Sequence, residues 1–430
     1  MTVNILTLGC SKNLVDSEHL LSQFRAGGYQ VMHDRYDTPA DIVIINTCGF
    51  ILDAREESIE TILAFIDEKK KGRLRKLFVM GCLSEQYAEE LAGELPEVDG
   101  FFGVWDMPAV LRAAGTSLDQ RLLTDRVVTT PSHYSYLKVS EGCNRTCAFC
   151  AIPAIRGVQR SLPVEVLVNE AENLARKGVK ELILIAQDLT AYGTDLYGKR
   201  MLPGLLRELL KLEGIEWFRL HYAYPSGFPE ELIELMATEE KICNYLDIPI
   251  QHIDDGLLKA MQRGHDRDSL EKLFRKIRSQ IPDVALRTTV ITGFPGETEN
   301  SFRELVSFLK EFRFERLGVF PYSHEEGTHA HRSMNDRVPL SVKKKRAAVI
   351  MQLQQEISLG INQSRIGQTM RVLIDREEGD YFVGRTRYDS PEVDNEVLVT
   401  TEDRLFPGEF YDVEITGAAE FDLYGKPLSL

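Results

Sequence analysis

The run Glu141-Gly142-Cys143-Asn144-Arg145-Thr146-Cys147-Ala148-Phe149-Cys150 decides how this chain is read. Its CxxxCxxC spacing lets three thiols reach one small metal centre. Zinc takes four ligands, and Cys150 is followed by Ala151-Ile152-Pro153, with no further His or Cys at hand. A cubane iron–sulfur cluster suits three thiolates better, because it keeps one iron open for chemistry. The apolar run Tyr136–Val139 just before the loop reads as a strand. It opens a series of further candidate strands: Glu181–Ala186, Trp217–Tyr222, Leu246–Ile250, Ala285–Ile291 and Arg316–Phe320. Helical stretches such as Pro163–Lys177 and Glu297–Phe312 lie between them. Strands alternating with helices give a parallel sheet. Six such units predict a partial or full barrel, with its chemistry at the C-terminal strand ends.

Upstream, the runs Val3–Leu8, Asp41–Ile45 and Lys76–Met80 alternate with helical Ser17–Arg25 and Arg55–Lys69, which predicts a doubly wound α/β domain. Each strand ends at a cysteine beside a glycine: Gly9-Cys10, Cys48-Gly49 and Gly81-Cys82. Strand ends of a parallel sheet share one edge, so these three thiols are expected to converge on a second cluster. The glycines let backbone approach a bulky inorganic group. A lone cysteine at a strand end is ordinary packing; three in phase with the repeat are not. Cys243 has no partner in the sequence and reads as a small buried apolar residue.

Downstream, the helical stretch Ser341–Ile361 gives way to short β-rich runs broken by Gly and Pro: Met370–Ile374, Asp380–Thr386, Glu396–Thr400 and Phe410–Thr416. These predict a small antiparallel β-barrel. With a break near Asp125–Ser132, the expected domains are 1–126, 132–362 and 365–430.

Composition narrows the function classes. Hydrophobic residues make up 43% and charged residues 27% of the 430, a globular profile. An odd cysteine count, seven, disfavours a disulfide framework. No apolar run is long enough to span a bilayer, and the start Met1-Thr2-Val3-Asn4-Ile5-Leu6 does not read as a secretory signal, so a cytoplasmic protein is expected. The net charge is −15, unevenly placed: 13 basic against 20 acidic residues over 1–126, 31 against 31 over 127–364, and 7 against 15 over 365–430. A nucleic-acid backbone calls for a basic face, which the acidic ends do not offer.

The CxxxCxxC loop, with an aromatic Phe149 before its third cysteine and a strand before it, resembles the radical S-adenosylmethionine superfamily. The two cysteine sets in this order, ahead of a β-rich module, resemble the methylthiotransferases along the whole chain. Shared stretches include Asn46-Thr47-Cys48-Gly49-Phe50, Gln187-Asp188, Tyr224-Pro225, Pro249-Ile250-Gln251-His252, Thr292-Gly293-Phe294-Pro295-Gly296-Glu297 and Pro321-Tyr322-Ser323. The resemblance implies an N-terminal methylthiotransferase domain, a radical barrel and a C-terminal TRAM domain. It implies two 4Fe–4S clusters, one on Cys143, Cys147 and Cys150 and one on Cys10, Cys48 and Cys82. The first would reductively cleave S-adenosylmethionine; the second would bind or supply the sulfur, which a further S-adenosylmethionine methylates. Phe149, Gln187, Asp188, Arg219, Gly293, Gly296 and Glu297 are the expected S-adenosylmethionine contacts. No catalytic residue beyond the clusters is assigned.

Family members divide by substrate, one type acting on a transfer-RNA adenosine and the other on an aspartate of a small-subunit ribosomal protein. The acidic C-terminal module suits a basic ribosomal protein, and the run Gly384-Arg385-Thr386-Arg387-Tyr388-Asp389-Ser390-Pro391-Glu392-Val393-Asp394 resembles that second type. Protein twelve of the small subunit is therefore the expected partner, with a flavodoxin or ferredoxin as reductant and no membrane or nucleic-acid partner. A monomer is expected. Two alternatives stay open: a transfer-RNA methylthiotransferase, and a non-catalytic two-cluster electron carrier or metal-stabilised RNA-binding protein.

Overall fold

The structure, a computed structural model, describes residues 1–428. The first sheet is built from β1 (Thr2–Thr7), β2 (Gln30–His33), β3 (Ile42–Thr47), β4 (Lys76–Gly81) and β5 (Gly100–Phe102). It is wholly parallel in the order β2-β1-β3-β4-β5. Its central strands are buried along nearly their whole length, which is why their sequence is mostly apolar. Helices α1 (Ser11–Ala26), α2 (Leu52–Lys70) and α3 (Cys82–Glu94) start at the C-terminal strand ends. The short strands β2 and β5 escape sequence reading because they are edge strands and only partly buried.

The second unit holds six parallel strands: β6 (Tyr134–Lys138), β9 (Glu181–Ile185), β10 (Trp217–Leu220), β11 (Ile242–Asp247), β12 (Ala285–Thr292) and β13 (Arg316–Pro321), in the order β13-β12-β11-β10-β9-β6. A two-stranded ribbon, β7 (Ser140–Glu141) with β8 (Arg160–Ser161), flanks the cysteine loop. The sheet is open, a partial barrel, and its apolar core lies between strands and outer helices. Strand β11 begins and ends earlier than the expected Leu246–Ile250. Pro249 cannot donate to a ladder and Gln251 has φ +69°, so this stretch forms the loop at the strand's C-terminal end.

The segment read as a break carries Arg126, fully buried, with its guanidinium on Glu18 of α1 and Glu170 of the helix Val164–Arg176, both at 3.2 Å. A long helix, Leu340–Gln363, leads to a closed barrel of β14 (Thr369–Glu378), β15 (Tyr381–Thr386), β16 (Glu396–Val399), β17 (Phe410–Ala418) and β18 (Asp422–Pro427). Its pairing is antiparallel except between β16 and β18, which run parallel. The fifth strand, unexpected from sequence, carries Gly425, which passes close to β17, and alternating polar residues. Among the described residues no helix is long and apolar enough to cross a membrane.

The small barrel is clamped to the partial barrel by buried charges. Arg385 pairs with Asp375 (2.6 and 2.9 Å) and with Glu181 of β9 (2.8 Å). Asp389 meets Arg316 of β13, Ser390 shares a hydrogen bond with His221 (2.8 Å), and Asp394 accepts from Tyr245 of β11 (2.7 Å). Glu392 accepts from Tyr134 of β6 (3.2 Å). The run Gly384–Asp394 thus touches both edge strands of the open sheet. These side chains face the partial barrel, so any reading of a substrate by this module falls to its other surfaces.

Candidate active site

Six of the seven cysteines line one cavity of about 420 Å³ between the first sheet and the mouth of the partial barrel. Cys243 is instead fully buried in β11, against Trp217 and Tyr245.

Cys10, Cys48 and Cys82 come from three strand ends brought level by the register Thr7 to Asn46 and Thr47 to Gly81. Cys10 sits at the N-cap of α1 and Cys82 at the first position of α3, where helix dipoles favour negative charge. Backbone packing leaves no room for side chains on the neighbouring glycines. A Cβ on Gly9 would lie 2.9 Å from the Cys48 sulfur, and one on Gly81, at φ +100°, would lie 2.6 Å from the Thr47 carbonyl oxygen. Asn13 staples the set: its amide donates to the carbonyls of Leu8 (2.8 Å) and Thr47 (3.0 Å), its oxygen accepting from Arg156.

Cys143, Cys147 and Cys150 come from a single loop. It is held by Ala148, whose N–H donates to Met261 O (2.9 Å) and whose carbonyl accepts from Ala330 N (2.7 Å). Phe149 lines the cavity with its ring edge-on to Phe294, centroids 6.5 Å apart. Donors approach the sulfurs: the Arg263 guanidinium lies 3.3 Å from Cys147 Sγ, and the Arg145 backbone N–H lies 3.4 Å from Cys143 Sγ. Tyr224 packs between Arg145 and Arg263, their guanidinium carbons 3.8 and 4.3 Å from its ring centre.

Burial pushes the Cys82 and Cys143 thiols up to about 11 and Cys150 up to about 12, and raises Cys48 as well. The bare thiols are therefore protonated at neutral pH, and a metal centre must displace those protons. Among the described residues no three His, Cys, Asp or Glu side chains stand close enough for one metal ion. Thiolates on separate corners of a cluster stand farther apart than ligands of one ion. Two sets of three thiols, each with cationic or helix-terminal support and, among the described residues, no fourth ligand, fit iron–sulfur clusters with an open iron.

Between the sets lies Arg156, at the end of the short helix Ile152–Arg156. It is buried and pairs with Glu141 (2.7 Å) and Asp16 (3.6 Å). Lys138 also pairs with Asp16 and with Glu141 (2.6 Å), completing a four-charge seam between the two sheets. Burial alone would raise the Glu141 carboxyl, but Lys138 and Arg156 outweigh it and hold it well below the usual range.

The expected S-adenosylmethionine contacts separate on inspection. Phe149 and Gln187 line the cavity, and the Gln187 Oε1 is buried with no partner among the described residues while its Nε2 donates to Glu141 (2.5 Å). Asp188 is set back: it accepts from Arg145 Nε (2.8 Å), Thr190 Oγ1 (2.6 Å) and Ala191 N (3.2 Å), so it orients the cysteine loop through Arg145. Arg219 does not reach the cavity, correcting the expectation from its place near a strand end. It points into the sheet's other end, onto Glu181 (2.6 Å) and the carbonyls of Arg387 (2.9 Å) and Thr386 (3.3 Å). Glu297 is corrected likewise: its carboxylate accepts from Gly293 N and from Arg346 (2.9 Å) of the long helix. Gly293 and Gly296 shape that turn at φ +77° and +95°, outside the cavity lining. Sequence reading missed Lys12, Asn13, Arg145, Arg156, Tyr222 and Arg263. The only signal for most of them is proximity to a cysteine.

Three family models match this chain: the radical SAM superfamily over residues 137–309, an uncharacterized protein family, UPF0004, over 2–103, and the TRAM domain over 366–428. A protein of Christiangramia forsetii named ribosomal protein uS12 methylthiotransferase RimO is 54% identical over 100% of this chain and 94% of that relative. The chain belongs to the RimO methylthiotransferase family. Proteins of the same name from Flavobacterium psychrophilum (54% identical, 99% of this chain and 98% of the relative) and Parabacteroides distasonis (51%, 99% of each) agree. Among solved structures, the radical S-adenosylmethionine methyltransferase TsrM from Kitasatospora setae, with cobalamin and a 4Fe–4S cluster bound, superposes with TM-score 0.53 at 15% identity, covering 74% of each chain. The cobalamin-dependent radical enzyme OxsB gives TM-score 0.52 at 15% identity over 81% of this chain and 56% of OxsB. Those two likenesses establish the fold. Family membership makes the chain a radical S-adenosylmethionine methylthiotransferase, using a 4Fe–4S cluster and S-adenosylmethionine.

Proposed function

We propose that this chain transfers a methylthio group to the β-carbon of an aspartate in ribosomal protein uS12. The observation carrying the reading is the meeting of two three-cysteine sets on one cavity. Each set would hold its own cluster, Cys143, Cys147 and Cys150 one, and Cys10, Cys48 and Cys82 the other. When bound, these groups together with S-adenosylmethionine supply a hydrogen-abstracting radical on one side of the cavity and methylated sulfur on the other.

The chain's own residues set the conditions for that chemistry. The Arg263 guanidinium places positive charge against the sulfur of Cys147, and the Arg145 backbone amide donates to that of Cys143. Gln187 offers a buried acceptor and Phe149 an aromatic face where the amino group and adenine of S-adenosylmethionine would lie. The seam through Arg156 fixes one cysteine set against the other, so a carbon held between them is within reach of both. The C-terminal module, with 7 basic and 15 acidic residues, suits a basic ribosomal protein and repels phosphates. The curated relatives carry the uS12 activity in their names. A flavodoxin or ferredoxin would deliver electrons, in the cytoplasm, to a monomer.

The test is anaerobic reconstitution with S-adenosylmethionine, reductant and sulfide, offering uS12 or unmodified transfer RNA. Mass spectrometry is expected to find the methylthio gain on an aspartate of uS12. A gain on the transfer RNA alone overturns the substrate assignment while leaving the two-cluster chemistry in place.

A further inference from the structure

Four cationic side chains and no carboxylate line the cavity among the described residues: Lys12, Arg145, Arg156 and Arg263. Three are already engaged. Arg145 lies on Asp188 (2.8 Å), Arg156 on Glu141 (2.7 Å), and Arg263 on the Pro249 carbonyl (2.5 Å) and the Cys147 sulfur (3.3 Å). Lys12 is different. It is 7% exposed, yet among the described residues it forms no ion pair and no side-chain hydrogen bond. Its ammonium rests 3.3 Å from the centre of the Tyr222 ring. An aromatic face meets an ammonium only in part, so the Lys12 charge stays available to an anion that enters the cavity.

The ring beneath it is placed with effort. Tyr222 has φ +63°, a left-handed conformation unfavourable for a bulky residue and characteristic of functional sites. Asp247 fixes it from one side, accepting from Tyr222 N (3.3 Å) and, through its carbonyl, from Ala223 N (2.8 Å). Leu189 N donates to the Tyr222 carbonyl (3.0 Å) from the other. Gln251, also at positive φ and also lining the cavity, keeps its Oε1 buried and, among the described residues, unpartnered, an acceptor for an N–H of whatever enters.

We propose that Lys12 is a specificity-determining residue whose ammonium pairs with the side-chain carboxylate of the substrate aspartate. The proposal rests on the functional reading above. Gripping the carboxylate puts the neighbouring β-carbon between the two cysteine sets. It also tells an aspartate from an asparagine, because an amide gives a lysine no counter-charge.

The experiment uses the reconstituted full-length enzyme and peptides of the uS12 target segment carrying either Asp or Asn at the target position, with binding read by anaerobic fluorescence anisotropy. The wild type is expected to bind the Asp peptide about 10- to 100-fold more tightly, the size of a charge-assisted contact. Lys12→Met should lose that factor on the Asp peptide and nothing on the Asn peptide; Lys12→Arg should recover part of it. A wild type with no preference overturns the proposal whatever the variants do, because Lys12 then serves only a neighbouring cluster or S-adenosylmethionine. A preference that survives in Lys12→Met, or equal weakening of both peptides in a variant with full iron content, overturns it too. Methylthio transfer to the Asp peptide tests the functional reading separately. Transfer without preference sinks Lys12 alone, and failure to bind either peptide sinks both.

Discussion

The two cysteine sets face one cavity but are built in opposite ways. Cys143, Cys147 and Cys150 lie within eight residues of one loop, so their mutual placement is local, held by the anchors at Ala148 and Arg145. Cys10, Cys48 and Cys82 span 73 residues and meet only because three parallel strands end in register. A site made by a loop tolerates distant change. A site made by a sheet inherits every demand of the sheet, down to glycines that admit no side chain. Arg156 and its partners join the two, which is where the comparison can be broken.

The largest effect is expected from the thiols themselves. Cys143→Ala should abolish both 5′-deoxyadenosine and methylthio product. Cys48→Ala should keep 5′-deoxyadenosine formation and lose the product, each variant losing about four irons per chain, the content of one cubane. Chromatography and iron assay decide it; a Cys48→Ala protein unable to release 5′-deoxyadenosine would mean the sets do not work separately.

Next comes the seam. Arg156→Met strands Glu141 and Asp16 beside a single lysine in a buried site, and breaking such a pair costs about 3–5 kcal/mol. Thermal unfolding should fall accordingly, with iron lost from the strand-end set before the loop set. A variant of wild-type stability would show that the seam is not what joins them.

A smaller loss is expected from Gly81→Ala. Its positive φ alone costs about 1–3 kcal/mol, and the new Cβ would lie 2.5 Å from Asn46 Oδ1. Denaturant titration and iron content should show destabilisation confined to the strand-end set; normal iron on Cys10, Cys48 and Cys82 would contradict the packing argument.

The smallest effect is expected from mild acid. The Glu141 carboxyl is held low in the fold, so its contribution is fully present above the ordinary carboxylate value of about 4.3 and is lost only as pH falls through its depressed value. Stability from this seam should be flat between about pH 7 and pH 5; a stepwise loss in that window, seen in melts at constant salt, would assign the seam to a different group.

Much of this was legible beforehand, and particular residues show why. The central strands β1, β3 and β4 read clearly because they are buried on both faces and thus mostly apolar. Glycine beside each strand-end cysteine marked close backbone approach, and the structure places all three thiols on the cavity. Arg219 misled because a strand's periodicity gives its face and not which end of the barrel the side chain serves. Its partner Glu181 and the carbonyls of Thr386 and Arg387 come from elsewhere in the chain. Arg126 was invisible for the same reason, its counter-charges Glu18 and Glu170 lying 108 and 44 residues away.

By itself the sequence determined the elements and the chemistry: two sets of three thiols, parallel α/β units carrying them, a small β-barrel after them, and an acidic balance. These are properties of local pattern and residue type. Only the tertiary structure decided which groups meet. It brought two sheets' cysteines to one cavity, set Arg156 between them, turned the run Gly384–Asp394 inward as a clamp, and left Lys12 facing that cavity with no counter-charge among the described residues. Pairing of charges depends on burial and on distance through space, and neither is written in the spacing along a chain.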